Sequence, residues 1–166
     1  MAARLDDLDY RIMRELQRDG RTTFQRLSEI VGLSPRPCLE RVRKLEKHKV
    51  ITGYTTRVAL HRLTNYVVVI AHCHVKQGRE IRARFEQRMR GTPEVLECLE
   101  AAGSIDYIVK VVCKSIPAYQ QLCDGWINDP SLHIERIESS VILRTAKDGG
   151  IYPVEIAHEN YAAVSG

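Results

Sequence analysis

"GLSPRPCLERVRKLEKHKVI", Gly32 to Ile51, gathers six lysines and arginines around a thin apolar stripe and places two prolines among its first six residues. The prolines mark a beginning. Ser34 suits the N-cap, and Pro35 falls at the first helical position, where its missing N–H would lack a partner anyway. Pro37 is still inside the first turn, where no intrahelical bond is lost. The helix therefore starts at a fixed place and in a fixed direction. At roughly 100° per residue, Cys38, Val42 and Leu45 cluster on one side, with Leu39 at its edge. Arg36, Glu40, Arg43 and Lys47 lie opposite, with Lys44 flanking them. A helix that buries the first set must hold the second in solvent.

Two shorter helices precede it. Leu5, Leu8, Ile12 and Leu16 recur at helical spacing, and Asp6, Asp7 and Asp9 suit the positive end of a helix dipole. Asp19-Gly20 ends that helix. Thr22 and Gln25 have the spacing of a capping box, and Phe24, Leu27 and Val31 mark one face of a second helix. Gly32 then supplies a turn, since it tolerates positive φ without steric cost. Three helices with a basic outer face on the third make a helix-turn-helix, whose third helix enters the major groove and reads base edges with its N-terminal residues. Arg36 can bind guanine bidentately and Glu40 can accept from cytosine. Arg43, Lys44 and Lys47 are placed to meet phosphates. Arg41, nearer the core boundary, suits a phosphate or an inter-helix contact.

The charge distribution agrees. Residues 1–65 carry 14 Lys+Arg and 8 Asp+Glu, a net +6, whereas residues 66–166 carry 11 and 13, a net −2. All the excess positive charge of the 166-residue chain sits in the part that would bind a polyanion. Hydrophobic content of 44% and charged content of 28% suit a soluble globular protein. The longest apolar run, Tyr66 to Ala71, is far too short to span a bilayer. The opening MAARLDDLDY is acidic where a signal peptide would be apolar, so a cytoplasmic location is expected. Five scattered cysteines without a C-x-x-C argue against a disulfide framework or zinc knuckle and suggest reduced, mostly buried thiols.

Beyond Gly53 the texture changes. Tyr54 to Leu60 alternates weakly, as an edge strand or extended connector. Val67 to Val75 then reads as a strand, Ile81, Phe85 and Met89 as a helix, Val95 to Leu99 and Tyr107 to Cys113 as strands. Tyr119, Leu122, Cys123 and Trp126 mark another helix, and Ile134 to Leu143 a last strand. The order β-α-β-β-α-β is the split pattern of ferredoxin-like folds. One short strand, Ile151 to Ile156, is expected in the tail. The expected fold is thus α+β: a winged helix-turn-helix domain (residues 1–53), a connector (54–65), a βαββαβ domain (66–146) and a tail (147–166).

Several points make the first segment similar to the N-terminal domain of the Lrp/AsnC (feast/famine) transcription regulators. They are the Leu-Asp-x-x-Asp opening, Asp19-Gly20-Arg21, Val31-Gly32-Leu33-Ser34, and Arg41-Val42-x-x-Leu45-Glu46. The βαββαβ segment resembles that family's effector-sensing domain. The resemblance implies double-stranded DNA as partner, a small effector that is usually an amino acid, and homodimers joined through the C-terminal sheets, often assembled further into octamers. No cofactor is expected. Two departures stand out. Lys49 occupies a position where the family commonly has Gly, and Leu63-Thr64-Asn65 lacks the Gly usual near the entry to the sensing domain.

"AAGSIDYIVKV", Ala101 to Val111, offers an effector site. Gly103 permits a tight turn, Ser104 and the following amides can donate to a carboxylate, and Asp106 can pair with an ammonium group. Gly103-x-x-Asp106 matches the family's effector-loop pattern; an ordinary hairpin turn would use the same residues. Ser139 and Ser140 on the last strand are further candidates. His72-Cys73-His74 does not make a metal site, because alternate strand residues face opposite ways. The arginine-rich helix around Arg79 to Arg90 reads as a solvated face. No nucleophile–base pair, phosphate loop or carboxylate pair suggests an enzyme. Two alternatives stay open: an architectural DNA-binding protein without effector, and a regulator sensing thiol chemistry or metal through Cys73, Cys98 or Cys113.

Overall fold

The computed structural model describes residues 5–147 together with Gly149 and Val154. They form two compact units, one running to Arg57 and including Lys147, Gly149 and Val154, the other spanning Val58–Ala146.

The first unit is built on three helices, α1 (Asp7–Arg18), α2 (Phe24–Val31) and α3 (Pro35–Lys47). Helix α1 opens with a capping box in which Asp6 accepts from the Asp9 N–H and Asp9 accepts from the Asp6 N–H. Tyr10, Ile12 and Met13 of α1, Leu27 and Val31 of α2, and Cys38, Val42 and Leu45 of α3 make one buried cluster. The cap of α2 lies one residue later than its spacing suggests: Thr23, not Thr22, accepts from the Arg26 N–H. Of two adjacent threonines, only the one whose backbone is extended just before the helix can reach that donor. Phe24, expected on the inner face, is 42% exposed.

Helices α2 and α3 close in the same way. Gly32 takes a left-handed conformation (φ 76°, ψ 37°), and the Leu33 N–H returns to the Ser28 carbonyl at 2.9 Å. At the end of α3, Lys49 has φ 59° and the Val50 N–H returns to Leu45 at 2.9 Å. Both are Schellman closures, but the second asks a residue with a Cβ to adopt the conformation that favours glycine. The following Tyr54 hydroxyl donates to Glu46 at 2.8 Å, tying the exit back to α3. Residues 52–59 are exposed and pair with no strand, so the helix-turn-helix carries no β-wing among the described residues. A strand needs a neighbour for its backbone groups, and none of the described strands runs beside this segment. Val154 packs against the first unit's core, whereas the rest of the strand expected at Ile151–Ile156 lies outside the described residues.

The second unit is entered through a single 3₁₀ turn, Leu60–Arg62, closed by Leu63 in an ordinary right-handed conformation, which is why no glycine is needed there. It then runs β1 (Val67–Val75), α4 (Arg79–Arg90), β2 (Val95–Glu100), β3 (Tyr107–Cys113), α5 (Ile116–Ile127) and β4 (Ile134–Val141). The sheet order is β2-β3-β1-β4, antiparallel throughout. Both helices cover one face. Val69, Ala71, Cys73 and Val75 of β1 and Tyr107, Val109 and Val111 of β3 are buried there with Phe85, Met89, Tyr119 and Trp126. The intervening residues, Val68, Ile70, His72 and His74 on β1 and Ile108, Lys110 and Val112 on β3, form an opposite face that no helix covers. On its edges Leu99 of β2 is 51% exposed, and Arg136, Glu138 and Ser140 of β4 lie beside His74, His72 and Ile70.

Replacing Lys49 with Gly relieves the left-handed strain, worth about 1 kcal/mol. Lys49→Gly should therefore raise the melting temperature by a few degrees in calorimetry; a fall would show that Lys49 makes a compensating interaction.

Candidate functional site

Helix α3 starts as its sequence demands, with one exception. Ser34 is extended (φ −83°, ψ 159°) and Pro35 follows it, yet the Ser34 hydroxyl makes no cap bond. An N-cap side chain accepts from the second or third helical N–H. The third position is Pro37, which has none. The Ser34 carbonyl still takes the first helical bond, from Cys38 at 3.3 Å.

Around the cylinder, Cys38, Val42 and Leu45 are buried, and Arg36, Glu40, Arg43, Lys44 and Lys47 are all exposed. The structure thus gathers all five predicted DNA contacts on the solvent side of one helix. Arg36 Nε lies 3.5 Å from Glu40, with the arginine side chain 90% exposed. Such a pair contributes little to stability and yields readily to a partner. Arg41 does not join this face. Its Nη1 reaches both Asp6 oxygens at 2.8 Å and Asp9 Oδ1 at 2.7 Å, so of the two contacts suggested by sequence it makes the inter-helix one.

In the second unit, Gly103 has φ 141°, a conformation that favours glycine, and Ser104 beside it is exposed. Asp106 has a different surrounding from a waiting ammonium partner. Its Oδ2 accepts from the Val75 N–H at 3.0 Å and its Oδ1 from Gln77 Nε2 at 2.8 Å. Its own N–H donates to Cys73, and its carbonyl accepts from Ala101. Gln77 in turn accepts from Arg82, which also donates to Glu100 at 2.6 Å. The carboxylate therefore ties the β2–β3 loop to the β1–α4 turn. Sequence spacing could not reveal this, because the partners lie about thirty residues away and meet only through the β1–β3 register.

Ser139 and Ser140 are adjacent and so face opposite sides of the sheet. Ser139 is 2.6 Å from the Tyr119 hydroxyl on the helix side, and Ser140 lies beside Ile70 on the open face. Strand β1 separates both from β3 and its loop. The five effector candidates are thus not brought together within one chain: Gly103, Ser104 and Asp106 share a loop, and the two serines stand apart from it.

Burial disfavours the thiolate form of the cysteines. All five are free. Burial pushes Cys73 up to about 12, and burial with the nearby Glu86 carboxylate pushes Cys98 up to about 11. Burial likewise raises Cys113. A reactive cysteine needs the opposite shift, since the thiolate is the nucleophile. Among the described residues no three His, Cys, Asp or Glu side chains converge to hold a metal. No helix among them is long and apolar enough to cross a membrane.

Comparison with known proteins gives this geometry its context. Residues 5–46 match the AsnC-type helix-turn-helix domain, and residues 68–152 match the Lrp/AsnC ligand binding domain. The chain belongs to the Lrp/AsnC family. It is 40% identical to the transcriptional regulatory protein DoeX of Halomonas elongata over 87% of this chain and 91% of that one. The leucine-responsive regulatory protein of Escherichia coli K12 is 38% identical over 71% of this chain and 73% of its own. Among solved structures, a transcriptional regulator of Neisseria meningitidis in complex with L-Met superposes with a TM-score of 0.86 at 26% identity, covering 93% of this chain and 99% of that one. Escherichia coli AsnC gives 0.80 at 25% identity, covering 91% and 100%. This Lrp/AsnC protein is accordingly a DNA-binding, ligand-responsive transcription regulator, with α1–α3 as its helix-turn-helix and the four-stranded antiparallel sheet as its ligand-binding domain.

Removing the Asp106 carboxylate strands the Val75 N–H, at a cost of about 1–3 kcal/mol, and releases the exposed Gln77 amide to solvent. Asp106→Ala should lower the thermal stability of the sensing unit while the helical signal of the first unit stays intact. An unchanged melt would mean that water replaces the carboxylate.

Proposed function

We propose that this regulator binds a pseudo-palindromic operator as a homodimer, with α3 of each protomer in the major groove. Arg36 and Glu40 read base edges, and Arg43, Lys44 and Lys47 grip phosphates. The observation that carries this reading is the division of α3: Cys38, Val42 and Leu45 take up its inner side, and every one of the five polar candidates is left outside. In this reading residues 1–53 bind DNA, 54–65 connect, and 66–146 sense the effector and assemble; the protein works in the cytoplasm, where its DNA is.

The partner for assembly is a second copy, seated on the open sheet face. Val68, Ile70, Ile108 and Val112 are half-buried apolar residues with no helix above them, while the opposite face carries both helices. An antiparallel sheet tolerates one wet face, but such faces usually alternate to polar residues. Here Val68, Ile70, Ile108 and Val112 make the two central strands largely aliphatic beside His72, His74 and Lys110, and Arg136, Glu138 and Glu97 line the outer strands.

The effector is an amino acid or a close metabolite, bound at the loop of Gly103 and Ser104, with Asp106 holding that loop in shape and neighbouring subunits completing the site. It acts by binding one arrangement of the assembly more tightly than another. L-Met in the Neisseria relative supports the chemical class.

Charge reversal at Arg36 and Arg43 tests the DNA-binding reading. The doubly substituted protein should lose binding to a duplex selected by the native protein from a random library, and the log–log salt slope should shrink by about 0.9 for each phosphate contact removed. Unchanged affinity and slope would end this reading. For the effector, a thermal-shift screen of amino acids should find one whose addition at 100 times its Kd stabilises the protein by about 2.7 kcal/mol. The same compound should change DNA affinity. No shift with any of them would favour an architectural protein without effector.

A further inference from the structure

We propose that Arg41 is a positioning residue for DNA recognition: by clamping α3 to the start of α1, it sets the roll angle at which the reading side chains meet the bases. The proposal rests on the reading that α3 enters the major groove.

The apolar stripe of α3 fixes which side faces inward, but hydrophobic contact is non-directional and permits a roll of several degrees. On a helix of about 5–6 Å radius, a roll of about 10° moves a side-chain tip by about 1 Å. Hydrogen bonds to base edges do not tolerate such an error. Something directional must hold the angle, and Arg41 supplies it. One nitrogen, Nη1, lies 2.7–2.8 Å from three oxygens of Asp6 and Asp9. Those carboxylates are themselves held: the Asp6 N–H donates to Asp9 at 3.2 Å and the Asp9 N–H to Asp6 at 3.0 Å. Arg41 therefore grips a rigid pair of anions built into the first turn of α1.

Burial argues for the same role. The Arg41 and Asp9 side chains are only 28% and 2% exposed, against 90% and 65% for Arg36 and Glu40. Desolvation raises the Asp6 carboxyl, but the Asp9 N–H and the Arg41 guanidinium outweigh it and hold it below the ordinary aspartate value. A buried ion pair is weak evidence for stability, because the cost of desolvation offsets the attraction; fixing one arrangement is its better-attested use. Arg41 also sits directly after Glu40 and two before Arg43, so any change in roll is transmitted to both at once.

The test compares Arg41→Met and the double variant Asp9→Asn, Arg41→Met with the native protein. For each, fluorescence anisotropy gives affinity for the library-selected duplex and for a scrambled duplex of equal length, across a salt series. All measurements are made below the lowest melting temperature. Arg41→Met leaves a buried carboxylate unpaired and should lower the melting temperature. The double variant, which removes Arg41 and the buried one of its two carboxylate partners and leaves only the solvent-exposed Asp6, should recover most of it. In both, the ratio of selected to scrambled affinity should fall about tenfold, within the cost of one mismatched base pair, while the salt slope stays native. A ratio that recovers together with stability would reduce Arg41 to a merely structural residue. A slope smaller by about one, with the ratio intact, would make it a phosphate contact. Either result overturns the proposal. Arg36→Glu, run in parallel, separates the two levels: if it too changes nothing, the groove-reading role of α3 has failed; if it abolishes binding while Arg41→Met keeps the native ratio, only the clamp has.

Discussion

Thirteen residues of α3 have to serve two environments, and the burial of Cys38, Val42 and Leu45 decides how they are shared. Once those three side chains enter the core with Ile12 and Leu27, the remaining positions are fixed by helical geometry alone. Arg36, Glu40, Arg43, Lys44 and Lys47 have nowhere to go but out. The basic surface is thus a by-product of core packing. A change in any of the three buried residues would act on DNA binding without touching DNA.

The sensing unit applies the same economy to a sheet. Period-two alternation sends Val69, Ala71 and Cys73 under the helices and Val68, Ile70 and His72 to the other side. One face is then covered by the helices of the chain, and the other is left open. The β2–β3 loop stands at the end of this sheet, held by the Asp106 carboxylate to the start of α4. A ligand bound to that loop would be bound to a fixed part of the framework rather than to a free flap. Its effect could pass into β1 and α4 through Val75, Gln77 and Arg82.

Much of this was legible in the sequence where one periodicity dominates. The residues of β1 and β3 follow from alternation and β-branched content, and α3 from its prolines and its stripe. The left-handed end at Lys49 was signalled only by the resemblance, which places a glycine at that position. What escaped had causes that no local pattern contains. The cap at Thr23 rather than Thr22 depends on which of two like side chains reaches the Arg26 N–H. A β-wing depends on pairing, and among the described residues the extended stretch 52–59 has no strand beside it. Asp106 has the composition of a turn or a ligand contact, yet its carboxylate bonds to Val75 and Gln77, a fact of tertiary register. Arg41 lies at the boundary between core and surface, where periodicity is silent and only the position of α1 decides.

The two prolines at the start of α3 have one more effect. Helix beginnings commonly hold anions through backbone amides, which are the same in every sequence. Here Pro35 and Pro37 remove two of the first three such groups, and Arg36 retains the remaining one. The leading tip of the helix is therefore chemically almost mute except for what its side chains say. A scaffold of this kind can be re-addressed to a different target by exchanging a few residues, because little generic attraction at the tip survives to blur the change.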